Sequence, residues 1–196
     1  MNTTFNIRLA KKEDTAAILA IYAHYVEHTA VSFEETVPSE AEFQQRILAV
    51  LQQAPWLVFE VDNTIVAYAY SSGHRGRPAY RYTRELSVYV NEEFQGKGIA
   101  AALYTTLLAL LKAQGYANTV IGIALPNDRS IQFHEKMGYR QVGIYHNIGF
   151  KHGAYRDVGW WEMAIRDTAP DTVRMISQLS AEEWQNAIML GLNKLH

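Results

Sequence analysis

The chain has 196 residues, 48% of them hydrophobic and 19% charged, with a net charge of −2 and no cysteine. That length suits one domain with a sizeable core, and the charge balance excludes a dominant basic face for nucleic acid. Without cysteine there are no disulfides, no thiolate-bound metals and no cysteine acyl-enzyme.

Phe5 to Leu9 reads as a short strand, after a start (Met1 to Ala10) that lacks the apolar centre of a signal peptide. Asp14 is placed to cap a helix on which Ala17, Ile18, Ile21, Tyr22, Tyr25 and Val26 recur at helical spacing. Ser39 and Glu42 have capping-box spacing, which predicts a second helix from Glu40 to Gln53. Trp56 to Val61 and Ile65 to Ser71 are strand-like around an Asp62-Asn63 turn. Gly73 to Arg77 is a loop rich in Gly and Arg, and Glu85 to Val90 follows as a strand. A strong helix pattern runs from Ile99 to Gln114 and stops at Gly115. Thr119 to Ala124 is another apolar strand, Pro126-Asn127-Asp128 a turn, and Ser130 to Met137 a helix ending at Gly138. Tyr139 to Tyr145 and Val158 to Ile165 read as two closing strands. This order predicts an α/β fold with a mixed sheet over residues 1–167. Thr168 to Pro170 breaks the pattern, and Ser180 with Glu183 caps a final helix, Ala181 to Leu195. That tail, 168–196, packs either on its own domain or on a second subunit. No run approaches the length of a membrane span, so a cytoplasmic protein without a membrane partner is expected.

The sharpest local feature is Gln95-Gly96-Lys97-Gly98-Ile99-Ala100, which leaves a strand and opens a helix. Glycine lets backbone approach a ligand closely, and free amides at a helix start favour phosphate. It is not a Walker loop, because position 91 is Asn. Nor is it a dinucleotide fingerprint, because Ala101 stands where the third Gly would fall. A flexible strand-to-helix turn is the plainer alternative. Four arginines, Arg75, Arg77, Arg81 and Arg84, crowd into ten residues. They form either a solvated basic loop or a set of forks for an anionic group. His24, His28, His74, His146, His152 and His196 show no metal-ligand spacing, so no metal is expected.

The loop, followed by Asn127, Ser130, Phe133, His134 and Gly138-Tyr139, resembles the GNAT superfamily of acetyltransferases. Val31-Ser32-Phe33, Pro55 to Val58, Tyr80 to Val90, Leu125 to Asp128, Gly149 to Gly153 and Asp157 to Trp161 narrow the resemblance to its phosphinothricin N-acetyltransferase family, over residues 5–165. The tail matches no pattern of that family.

The resemblance implies a GNAT fold, acetyl-CoA as cosubstrate and a small amino-acid-like amine as acceptor. Gln95, Gly96, Lys97, Gly98, Ile99 and Ala100 would cradle the CoA diphosphate. Backbone of Val88, Tyr89 and Val90 would line the pantetheine arm and the acetyl oxygen, with Asn127 and Ser130 completing the cofactor side. Glu85 matches the family's base, although it could instead pair with Arg84 or Arg81. His134 would protonate the leaving thiolate, bind the sulfur or accept a second proton; many superfamily members carry Tyr there. Arg75, Arg77 and Tyr80 map onto substrate-contacting positions, with Arg75 where Lys is usual. Phe33, Tyr89, Tyr104 and Trp161 map onto an aromatic wall; Tyr104, on the cofactor-side helix, has the weakest claim. Direct transfer in a ternary complex is expected. The alternatives are a protein N-terminal or lysine acetyltransferase, and a non-catalytic acetyl-CoA sensor. The resemblance and the apolar tail together imply a homodimer.

Overall fold

The computed structural model describes residues 3–168 and 172–195. Ala169 and Pro170, part of the expected break, lie outside the described residues, as do Met1 and His196. Seven strands form one sheet: β1 (Phe5–Leu9), β2 (Trp56–Val61), β3 (Thr64–Gly73), β4 (Thr83–Val90), β5 (Asn118–Ala124), β6 (Arg140–Lys151) and β7 (Ala154–Ala164). Their spatial order is β1-β2-β3-β4-β5-β7-β6, with β4 and β5 parallel and every other pair antiparallel.

Among the described residues there are five α-helices: α1 (Thr15–His28), α2 (Glu40–Leu51), α3 (Ile99–Gln114), α4 (Asp128–Lys136) and α5 (Ala181–Leu192). α1 and α2 lie over β2 to β4 through Ile18, Ile21, Phe43 and Ile47, against Trp56, Val58 and Tyr68. α3 lies on the opposite face, with Leu103, Leu107 and Leu110 fully buried against Leu57, Phe59 and Ala69. Strand alternation therefore decides which of two distinct cores each side chain joins. α5 runs along α3, where Gly191 meets Ala102 and Thr106.

The capping boxes form as the spacing predicts: the Ser39 and Ser180 hydroxyls accept from the Glu42 and Glu183 amides at 3.3 and 3.1 Å. Asp14 precedes α1 but makes no side-chain cap. Its carboxylate is taken by Arg8 and by the Lys11 amide, because Arg8 sits between it and Glu60. The last two strands are longer than their apolar runs suggest. A bulge between Tyr145 and Gly149 absorbs the polar stretch: the Asp157 carboxylate accepts from the Asn147 amide and pairs with His146, both at 2.8 Å. His152 and Gly153, both with positive φ, make the two-residue turn that continues the hairpin.

The tip of this hairpin holds the loop between α1 and α2. Lys151 is buried, and its ammonium donates to the carbonyls of Val26 (2.7 Å) and Ser32 (2.6 Å). The Phe33 ring packs against Gly149, where any Cβ would meet it. Lys151→Met keeps the packing but leaves both carbonyls without a donor, at a cost of about 1–3 kcal/mol for each buried group. Urea unfolding of this variant is expected to show a loss of about 2 kcal/mol or more; an unchanged midpoint would remove Lys151 from its anchoring role.

Candidate active site

The site follows from a failure of strand pairing. β4 and β5 pair only from Thr83 to Glu85 with Asn118 to Val120, and then diverge. The gap is a cavity of about 660 Å³, lined by both strands, the end of α1 and the starts of α3 and α4. That volume suits a site enclosing much of a small ligand. Along β4, backbone groups alternate between β3 and the gap. Val90 turns its N–H and C=O to the gap, where the Tyr25 hydroxyl donates to the carbonyl at 2.6 Å and accepts from the amide at 3.3 Å. Val88, two residues earlier, turns the same way and has no partner strand there.

The outer end of the gap is the glycine loop. Gly96 and Gly98 have φ of +77° and +81°, the left-handed region that favours glycine. Gly98 precedes α3, and the first intrahelical bond runs from the Ala102 amide to its carbonyl, so the preceding amides carry no helical partner. A Cβ added to Gly96 would meet nothing within 4 Å, whereas one on Gly98 would lie 2.7 Å from the Lys194 carbonyl oxygen. Gly96, Gly98, Ile99 and Ala100 line the cavity, Ile99 through backbone because its side chain is in the core. Lys97 does not line it; its ammonium sits 4.6 Å from the centre of the Phe94 ring. The Gln95 amide is also committed. It donates to Tyr25 and to Val90, and its oxygen accepts from Arg129. Asn127 caps α4 by accepting from the Ser130 amide at 3.2 Å. The free backbone edge, the open space beside Gly96 and the unpaired helix amides fit an extended, phosphate-bearing ligand.

His134 on α4 is 6% exposed. Its Nδ1 lies 2.8 Å from the Ser130 carbonyl, so that nitrogen carries the proton, and Nε2 accepts from the Tyr104 hydroxyl at 3.1 Å. Burial pushes its pKa down to about 4, against the opposing hydrogen bond to Ser130. It is therefore neutral near pH 7, and an imidazolium donor is not available there. Tyr104, also buried, pairs with His134 within the α3-side core; burial holds its phenol well above the usual range.

Glu85 stands on the opposite face of β4. It pairs with neither Arg84 nor Arg81: Arg84 is buried, donating to the Ser71 carbonyl at 2.6 Å, and Arg81 lies over the Tyr82 ring. Its neighbour is His74, with Nδ1 at 3.4 Å, while His74 Nε2 accepts from Arg75 at 3.4 Å. The His74 ring also meets the edges of Tyr80 and Trp160, at 5.9 and 5.8 Å between centroids. Glu85, His74, Arg75 and Tyr80 thus form one group beside the last β4–β5 pair, outside the residues that line the cavity. Arg77 lies exposed at the start of the turn that carries Tyr80. Tyr89 lines the gap, packed among Tyr22, Tyr25 and Tyr68.

Trp161 does not belong to an aromatic wall. It is 1% exposed in the α3-side core, with its indole nitrogen 3.3 Å from Glu135. Strand alternation turns its neighbour Trp160 to the Glu85 face, over Gly122. Phe33 is spent on Gly149. Sequence reasoning missed Trp160, His74, Tyr25 and Arg129. The first was open to a period-2 reading of β7. In the sequence His74 reads only as a potential metal ligand, and among the described residues no cluster of three His, Asp or Glu could hold a metal. Tyr25 looked like plain helix core, and Arg129 gave no signal.

Residues 7–160 match the family model described as an acetyltransferase (GNAT) domain. Phosphinothricin N-acetyltransferase of Streptomyces viridochromogenes is 37% identical over 174 residues, spanning 88% of this chain and 95% of the relative. The L-methionine sulfoximine/L-methionine sulfone acetyltransferase of Salmonella typhimurium is 33% identical, over 84% of this chain and 98% of the relative. The crystal structure of a GNAT superfamily phosphinothricin acetyltransferase from Sinorhizobium meliloti, in complex with acetyl-CoA, superposes with a TM-score of 0.81 at 30% identity, covering 87% of this chain and 95% of that one. The chain belongs to the GNAT acetyltransferases, and it is an acetyl-CoA-dependent N-acetyltransferase.

The buried neutral His134 has a consequence for stability. Its folded pKa is below the unfolded value of about 6.5, so the unfolded chain takes up the proton first as pH falls. The contribution of neutral His134 is full above about pH 6.5 and is lost progressively down to about pH 4, amounting to about 3 kcal/mol at most. The unfolding midpoint is expected to fall across that window in the wild type and to fall less in His134→Asn. Equal slopes in the two proteins would contradict this assignment.

Proposed function

We propose that this cytoplasmic enzyme acetylates the α-amine of small anionic amino acids of the phosphinothricin, methionine sulfoximine and methionine sulfone type. The observation that carries the reading is the Arg75–His74–Glu85 chain where β4 and β5 part, which on this reading joins a fork for an anion to a base. The curated relatives with those acceptors support it.

Acetyl-CoA supplies the acetyl thioester. Glu85 takes a proton from the substrate ammonium, directly or through one water, so that a neutral amine attacks. His74 orients the Glu85 carboxylate, and Arg75 and Arg77 hold the acceptor's anionic group with Tyr80 beside them. The Val88 amide donates to the acetyl oxygen as the new C–N bond forms. The C–S bond then breaks and CoA leaves as its thiolate. The thiolate takes up the second proton, the one the amine nitrogen sheds as the amide forms, and Tyr104, donating to neutral His134, keeps its own because burial holds its phenol well above the usual range. Gln95 to Ala100 bind the diphosphate through backbone amides, so glycine conformation matters more there than the Lys97 charge.

We also read the enzyme as a homodimer. β6 is an edge strand with Val142, Ile148 and Phe150 more than half exposed, and Tyr155 of β7 adds to that surface. An apolar edge of this kind needs a cover. Sedimentation at micromolar concentration is expected to give twice the chain mass, and the chain mass for Ile148→Glu; a wild-type monomer would end the dimer reading.

The acceptor class is tested by thiol release from acetyl-CoA with phosphinothricin, methionine sulfoximine, methionine sulfone, glutamate and a peptide N-terminus. Saturable turnover is expected with the first three. Glu85→Gln should lower kcat by about 100-fold or more, and Arg75→Ala should raise the acceptor KM by about tenfold, the loss of a charge-assisted pair. Turnover with the peptide alone would shift the function to protein acetylation. Acetyl-CoA binding without turnover for any acceptor would leave a sensor.

A further inference from the structure

The tail lies beyond the residues that match the family model, yet it reaches the glycine loop. It spans α3 from end to end. At the far end, Arg174 donates to the Ala113 carbonyl at 2.6 Å and pairs with Glu183, while Gln114 and Arg174 exchange two hydrogen bonds. A cation on the last carbonyls of α3 also suits the helix dipole. Midway, Gly191 allows α5 to touch Ala102 and Thr106; any side chain there would collide with both. At the near end, the Lys194 carbonyl and the Leu195 backbone fill the space beside Gly98, and the Leu195 side chain packs on the α3-side core.

The two loop glycines are therefore not equivalent. Gly96 faces open space, where a ligand would enter, and Gly98 faces the tail. A loop whose two glycines both tolerate many conformations would lose entropy on binding a diphosphate. Backing Gly98 with fixed chain reduces that loss before the ligand arrives.

We infer that the C-terminal segment is part of the donor site, with Lys194 and Leu195 as positioning residues that hold Gly98 and set affinity for the diphosphate of acetyl-CoA. This rests on reading Gln95 to Ala100 as the diphosphate site. It requires the tail to matter for a donor that carries the diphosphate and not for one that lacks it.

The experiment compares kcat/KM for acetyl-CoA with kcat/KM for acetyl-pantetheine, a thioester donor without diphosphate or nucleotide. It uses the wild type, a chain ending at Asn193, Leu195→Ala and Gly96→Ala. The ratio of the two constants is expected to fall at least about fivefold in the shortened chain and about twofold in Leu195→Ala, through a higher KM for acetyl-CoA. General loss of structure lowers both constants together and leaves the ratio unchanged. Should the shortened chain not fold, Leu195→Ala decides alone. A wild-type ratio in the tail variants, with a lowered ratio in Gly96→Ala, overturns this inference and leaves the diphosphate reading standing. A wild-type ratio in Gly96→Ala as well removes the diphosphate reading and this inference together.

Discussion

Everything at the site depends on β4 and β5 parting after Glu85 and Val120. A continuous parallel pair would use the backbone groups of Val88 and Val90 within the sheet. Separation leaves them pointing into a gap, where an unpaired amide or carbonyl is costly unless something meets it. Val90 is met by the Tyr25 hydroxyl from α1. Val88 is left for a ligand. On the function proposed above, a donor lying in the gap would complete the pairing that the sheet leaves unfinished.

Around that gap, polar groups are committed to one another. Tyr25, Gln95 and Arg129 form a line from α1 through the glycine loop to α4, touching Val90 on the way. Tyr104 and His134 form a second, buried pair beneath it. These contacts link elements on both sides of the parted strands. They keep the gap open at a defined width where no ladder hydrogen bonds hold it, as preorganisation of a donor site requires. The neutral state of His134 belongs to the same logic. A charge at that depth would need a counter-ion, and the nearest groups are a phenol and a backbone carbonyl.

The sequence made the order of elements legible because each helix carries its own start and stop. Ser39 with Glu42, Ser180 with Glu183, and Gly115 after α3 act locally, within one turn. The glycine loop was legible for the same reason. What escaped were features created by distant chain segments. Asp14 has the position of a cap but is claimed by Arg8 across the β1–β2 edge. The polar stretch His146 to Ile148 looks like a loop until Asp157, on the facing strand, satisfies its bulge. Trp160 and Trp161 are adjacent, and only the register of β7 against β5 tells which one faces Glu85. Tyr25 and His74 acquire their roles entirely from partners 65 and 11 residues away.

The same alternation separates the two halves of the chemistry. Glu85, Tyr89 and Trp160 point to one face of the sheet, where α1, α2 and the Gly73–Tyr80 loop stand. Leu86, Val90 and Trp161 point to the other, into the core shared with α3 and α5. Donor and acceptor therefore meet only at the seam, through the backbone of β4. Tyr25 apart, which reaches Gln95 and Val90 from α1, side chains on the Glu85 face lie outside the packing of α3 and α5 behind the glycine loop. On the proposed function, the face that carries Arg75 and His74 would select the amine, and the face that carries α3 would set how tightly the acetyl donor is held.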